Sequence, residues 1–167
     1  MVKGSNKMIP KKTTLPLLLT VFFVSLSGCA PKMIPNTEVE DNQENRDIIA
    51  FCERYRHAVE DLNIGLLISL ASPRYFDNSG TVDGDDDMDK AGLEAVLKDR
   101  FKSIEAIRYE IKYREVYKKN DTVMVEYTYT TSFRYNVDGK PHWENKTADN
   151  RLELEQANGG YLILSGM

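Results

Sequence analysis

The apolar spacing of the chain changes period once, near Ile104, and that change constrains the fold more than any other feature. Ahead of it, Ile48, Cys52, Tyr55, Val59 and Leu62 recur at alternating steps of four and three, a stripe along one side of a helix. His57 falls about 200° around that helix from Tyr55, so it is expected to point with Glu53 and Glu60 away from the apolar stripe. Asn63 introduces a shorter helical stretch carrying Ile64, Leu66, Leu67 and Leu70, stopped by Pro73. Leu93, Val96, Leu97, Phe101 and Ile104 mark a third helix, entered from an aspartate cluster suited to capping. After Ile104 the period is two: Ile107, Tyr109, Ile111 and Tyr113 face one way, Arg108, Glu110, Lys112 and Arg114 the other. Val123, Val125, Tyr127, Tyr129, Phe133 and Tyr135 repeat the alternation over a long strand between turns at Asn120-Asp121 and Asp138-Gly139. Trp143 sits in one register and Leu152 and Leu154 in the other, so the spacing predicts a bulge or bend between Glu144 and Arg151. Asn158-Gly159-Gly160 turns the chain into a last strand, Tyr161-Leu162-Ile163-Leu164. Helices first and a meander of strands afterwards make an α+β fold, with three helices on one face of an antiparallel sheet of about four strands.

Three stretches, "FCERYRHAVEDLNIGLLISLASPRYF", "AGLEAVLKDRF" leading into "IRYEIKYREV", and the terminal "GGYLILSGM", resemble the NTF2-like (SnoaL-like) superfamily. Together they cover most of residues 47–167, and the likeness is one of layout more than of invariant residues. The resemblance implies a cone in which a curved sheet wraps the helices, often with a pocket at the wide end, and a domain spanning 46–167. Dimers are common in that superfamily, which makes a homodimer an expected partner state.

The N-terminus carries a second resemblance. Lys3, Lys7, Lys11 and Lys12 precede a mostly apolar run from Leu15 to Leu26, too short for the roughly 20 residues of a membrane-crossing helix. Leu26-Ser27-Gly28-Cys29 then resembles the lipobox of bacterial lipoproteins. The likeness implies cleavage between Gly28 and Cys29 and acylation of Cys29, so that residues 1–28 are a signal peptide and the membrane is a partner through the acyl chains. Two or more chains anchor durably where one does not. Ala30 stands where an aspartate would imply retention in the inner membrane, so the periplasmic face of the outer membrane is expected in a Gram-negative host. Residues 29–45 are polar, with Pro31 and Pro35 and no periodic apolar pattern, and read as a lipidated flexible tether. Fully extended, they reach up to roughly 50 Å.

Of the 22 basic residues four fall in this leader, and none of the 26 acidic ones does, leaving the remainder a formal charge of −8. Backbone binding to nucleic acid needs concentrated Lys and Arg, so nucleic acid is not an expected partner. With Cys29 committed to lipid, Cys52 has no disulfide partner and reads as a small core hydrophobe.

The candidate pocket is built from the inward strand positions Tyr109, Tyr113, Tyr127 and Tyr129 with Tyr55 from the first helix. Wide apolar rings with polar tips suit a small apolar ligand bearing an oxygen, and equally suit a core that fills itself. Isomerases of the resembled superfamily need an acid or base in the cavity. Here Asp77 lies in a polar loop, and no acid occupies the inward strand positions before Glu115, so no catalytic residue is assigned. Asp83, Asp85, Asp87 and Glu94 stand at spacings one, three, five and twelve of a calcium loop, but Met88 replaces the glycine at six, and a solvated acidic loop is the simpler reading. Two histidines cannot assemble a zinc site with the cysteines accounted for, and no cofactor is called for. His142 and Trp143, just past a turn, form either an exposed contact patch or a cover for the sheet edge. The expected function is a lipid-anchored envelope protein whose domain acts as a non-catalytic binding or assembly module, with an envelope protein as a further candidate partner. The alternative is a SnoaL-like small-molecule isomerase, cyclase or dehydratase.

Overall fold

In the computed structural model, Met1, Gly4 and residues 31–78 and 87–167 are described. The chain divides into two units, Met1–Ala30 and Pro31–Met167. The second unit holds α1 (Gln43–Glu60), α2 (Ile64–Leu70), β1 (Phe76–Asp77), β2 (Met88–Asp89), α3 (Lys90–Phe101), β3 (Ile104–Lys119), β4 (Thr122–Val137), β5 (Lys140–Ala157) and β6 (Gly160–Ser165). The last four form one antiparallel sheet in sequence order, β3-β4-β5-β6, against which the helices pack. The expected layout is therefore observed, with one addition: β1 and β2 pair as a small separate sheet ahead of α3.

Each helix starts where a short polar side chain can take an orphaned backbone N–H. The side chains of Asn42, Asn63 and Asp89 accept from the amides of Asn45, Leu66 and Gly92. Tight turns join the long strands at residues that tolerate positive φ: Asn120, Asp138 followed by Gly139, and Asn158 followed by Gly159. On the inner face of α1, Ile48, Cys52 and Tyr55 are buried, and they meet the inward positions Tyr113, Val125, Tyr127, Leu152, Leu154 and Ile163.

Two expectations are corrected. No bulge interrupts β5 between Glu144 and Arg151, because β4 and β5 pair without a break from Thr122↔Glu155 to Val137↔Lys140. The shifts lie instead in β3, between Ile104 and Ala106 and between Tyr113 and Glu115, and where β5 meets β6 at Glu153/Leu154. Trp143 keeps its register by lying on the outer face opposite Arg134, half exposed, with the guanidinium carbons of Arg108 and Arg134 each 5.8 Å from its ring centre.

The second correction concerns the tether. Met33 bridges Glu40, Ile34 N–H donates to Val39 O at 2.9 Å, and Asp41 N–H donates to Lys32 O at 2.7 Å, so these residues form a small hairpin. Val39 is 2% exposed, and Glu38 N–H donates to Tyr113 O at 2.9 Å. The hairpin thus covers part of the free edge of β3, whose outward-pointing backbone groups need partners.

Candidate functional site

The inward face of the sheet carries a continuous aromatic stack. Tyr109 meets Tyr55 edge-on at 6.3 Å between ring centres and Tyr129 at 5.5 Å, while Tyr127 meets Tyr113 and Tyr129 each at 6.4 Å. All five residues expected to line a pocket are therefore brought together, but as rings packed against one another. Tyr55, Tyr109, Tyr113 and Tyr127 are buried and Tyr129 is half-buried. Side chains that fill the cone leave little room at its axis for a second molecule.

The polar tips of Tyr127 and Tyr113 are held within the protein. Tyr127 Oη accepts from Asn150 Nδ2 at 3.1 Å, and Asn150 Nδ2 reaches Gly166 O at 3.1 Å. Tyr113 Oη donates to Glu53 Oε1 at 2.9 Å. Burial, ahead of every other cause, pushes the phenol pKa upward at Tyr55, Tyr109, Tyr113 and Tyr127. These groups stay neutral hydrogen-bond donors across the physiological range. Burial likewise pushes the Cys52 thiol upward, which removes the thiolate that reactivity requires.

Glu53 and Glu60 do not point away from the sheet as the helical wheel suggested. Glu60 Oε1 accepts from Tyr109 N–H at 3.0 Å, while Arg56 Nη1 donates to Glu60 Oε2 at 2.6 Å and to Tyr109 O at 3.3 Å. The Tyr113 hydroxyl turns Glu53 in, and the open edge of β3 draws in Glu60 and Arg56, since its unpaired backbone groups offer hydrogen bonds that side-chain periodicity does not register. His57 is largely exposed, with Nδ1 at 3.6 Å from Glu60 Oε2.

Asp77 accepts from Gly166 N–H at 2.8 Å and from Tyr75 Oη at 3.4 Å, tying β1 to the C-terminus. Tyr75 Oη in turn accepts from Met167 N–H at 3.3 Å. Of the calcium candidates, Asp83 and Asp85 lie outside the described residues, as do Gly28 and Cys29. Glu94 pairs with Lys98 at 2.6 Å along α3, Asp89 caps that helix, and among the described residues no three metal-type ligands group together.

The feature that the sequence reading did not assign to the site lies farther along the same inward face. Phe133 and Tyr135 stack at 6.1 Å and Tyr135 and His142 at 6.0 Å. Phe133 and Tyr135, with Arg100, Ser103, Ile104 and Glu144, line an open cleft of about 440 Å³ at the rim. Its signal was present: Phe133 and Tyr135 continue the period of two that places Tyr127 and Tyr129 inside.

No protein-family profile and no curated protein matches the chain. Solved structures do. A dehydratase candidate from the NTF2-like family of Streptomyces avermitilis superposes with a TM-score of 0.62 at 11% identity, over 74% of this chain and 93% of its own. A scytalone dehydratase candidate from Novosphingobium aromaticivorans gives 0.59 at 8% identity, over 74% and 80%. An NTF2-like superfamily protein of Salmonella enterica gives 0.55 at 12% identity, over 72% and 89%. At such identities the likeness speaks of architecture alone, and the architecture of residues 31–167 is the NTF2-like fold.

Proposed function

We propose that this chain is an envelope lipoprotein, anchored through acyl chains on Cys29, whose NTF2-like domain binds a ligand or protein partner without transforming it. The observation that carries the second half is the filled cone: the rings of Tyr55, Tyr109, Tyr127 and Tyr129 lie in a chain of contacts, and Asn150 takes the Tyr127 hydroxyl, where an enzyme of this architecture would seat its substrate. Binding then falls to the rim, where Phe133 and Tyr135 offer apolar surface beside Arg100, Ser103 and Glu144. A small, largely apolar molecule with one oxygen fits that chemistry, and a homodimer or an envelope protein would use the same rim. The lipobox residues Leu26-Ser27-Gly28-Cys29 support the first half, with the outer membrane as destination in a Gram-negative host.

The dehydratase names of two structural neighbours favour a second reading, a small-molecule dehydratase, isomerase or cyclase. One experiment separates the two. The full chain is purified from the envelope of its own host and examined by native mass spectrometry before and after incubation. A retained molecule or partner of unchanged mass is the expected result, and a retained molecule whose mass changes, with Tyr55→Phe abolishing the change, hands the site to the enzyme reading. Labelled palmitate supplied to the cells should appear on the chain and be absent from Cys29→Ser.

A further inference from the structure

We propose that the domain is seated directly on the lipid surface through the Lys32–Met33 lip of its N-terminal hairpin, rather than carried on a long flexible reach. The inference rests on the acylation of Cys29 proposed above and adds where the domain then sits. Four peptide links separate Cys29 from Met33. A chain advances at most ~3.6 Å per residue, so the two Cα atoms are no more than about 14 Å apart whatever path the chain takes. At Met33 the fold has already begun. The Met33–Glu40 bridge, the bond from Asp41 N–H to Lys32 O, the bond from Glu38 N–H to Tyr113 O and the burial of Val39 hold that point to the edge of β3.

The acylated cysteine lies at the base of the headgroup layer, which is ~5–8 Å thick on each side of a bilayer. What remains of the link brings Met33 to within about 10 Å of the lipid surface. A compact unit of this length has a radius of gyration of roughly 14 Å and a diameter of roughly 35–40 Å. A link shorter than the body's own radius cannot let it tumble, so only orientations with the lip facing the bilayer are accessible.

The lip suits that place. Met33 is 44% exposed, and the Lys32 side chain is 80% exposed, an apolar group beside a long cation that can reach phosphate. The Asp41 carboxylate is buried between Lys32, at 3.4 Å, and Arg46, at 2.5 Å, setting one hidden negative charge against two cations that face outward. Glu40, opposite Met33, brings the lip close to neutral, so the length of the link and not charge selects the lipid surface as the occupant.

The test uses the full acylated chain, extracted from its host and reconstituted into vesicles of phosphatidylethanolamine with a minority of phosphatidylglycerol. A second chain carries about 20 Gly/Ser residues inserted between Ala30 and Pro31, outside the folded unit, which extends the link's reach severalfold. An amine-reactive label is followed at Lys32 by peptide mass mapping. The expected result is labelling several-fold slower in the native-length chain than in the lengthened one. Equal rates on chains whose N-terminal peptide bears the diacylglyceryl mass overturn the seating and leave the anchor standing. An N-terminal peptide without that mass overturns the anchor, and the seating with it.

Discussion

At the scale of single residues, Tyr127 decides whether the cone is full. It is wholly buried, in ring contact with Tyr113 and Tyr129, and its hydroxyl accepts from Asn150. Tyr127→Phe keeps the ring and removes one hydrogen-bond partner, so a cost of about 1–1.5 kcal/mol is expected in urea unfolding. Tyr127→Ala leaves a cavity as well and should cost about 3–5 kcal/mol. If both variants cost the same small amount, the interior is looser than the ring contacts imply and the filled-cone argument fails. The five tyrosines themselves were legible, four because inward strand positions follow from a period of two and Tyr55 because it falls on the apolar stripe of α1. Their state was not, since a line of tyrosines reads alike whether the space between them is open or closed.

At the scale of elements, the edge of β3 explains both what the sequence displayed and what it hid. Helices α1 to α3 and the long strands follow from spacing that repeats over many residues. The N-terminal hairpin has only Met33, Ile34 and Val39 as apolar residues, too few and too irregular to form a pattern, and part of its hold on β3 is a backbone hydrogen bond. The inward turn of Glu60 and Arg56 was hidden for the same reason, because what they bind is main chain. Trp143 misled only as to register: standing out of phase with Leu152 and Leu154 it suggested a bulge, whereas the strand runs on unbroken and two arginines flank the ring on the outer face. Docking of the hairpin can be measured. Val39→Ala removes two methyl groups from a buried site, worth about 1–2 kcal/mol, so the Glu38 amide should exchange with deuterium roughly tenfold faster while amides in β4 are unchanged. Unaltered exchange at Glu38 would mean that Val39 does not hold the hairpin to the edge.

At the scale of the whole molecule, the tyrosines couple stability to alkali. Burial holds the phenol pKa of Tyr55, Tyr75, Tyr109, Tyr113 and Tyr127 above the ordinary value of 10.0. The folded chain retains those protons where the unfolded chain gives them up. Their contribution to stability is therefore complete below about pH 10 and is lost as the pH climbs beyond it. Tyrosinate absorbance from these five rings should rise in one cooperative step that coincides with loss of far-ultraviolet circular dichroism. A single smooth titration of all nine tyrosines with the dichroism intact would contradict the burial.

The last residues of the chain are woven into the same body. Gly166 takes a positive φ of 95°, a Cβ there would collide with the Arg151 carbonyl, and its N–H is held by Asp77 while Met167 N–H is held by Tyr75. Affinity tags and fluorescent reporters appended after Met167 would have to leave from this crowded corner and would pull on Asn150, which joins Gly166 to the Tyr127 hydroxyl. The exposed Asp138-Gly139 turn, where nothing lies within 4 Å of a side chain added at Gly139, is the safer place to splice one in.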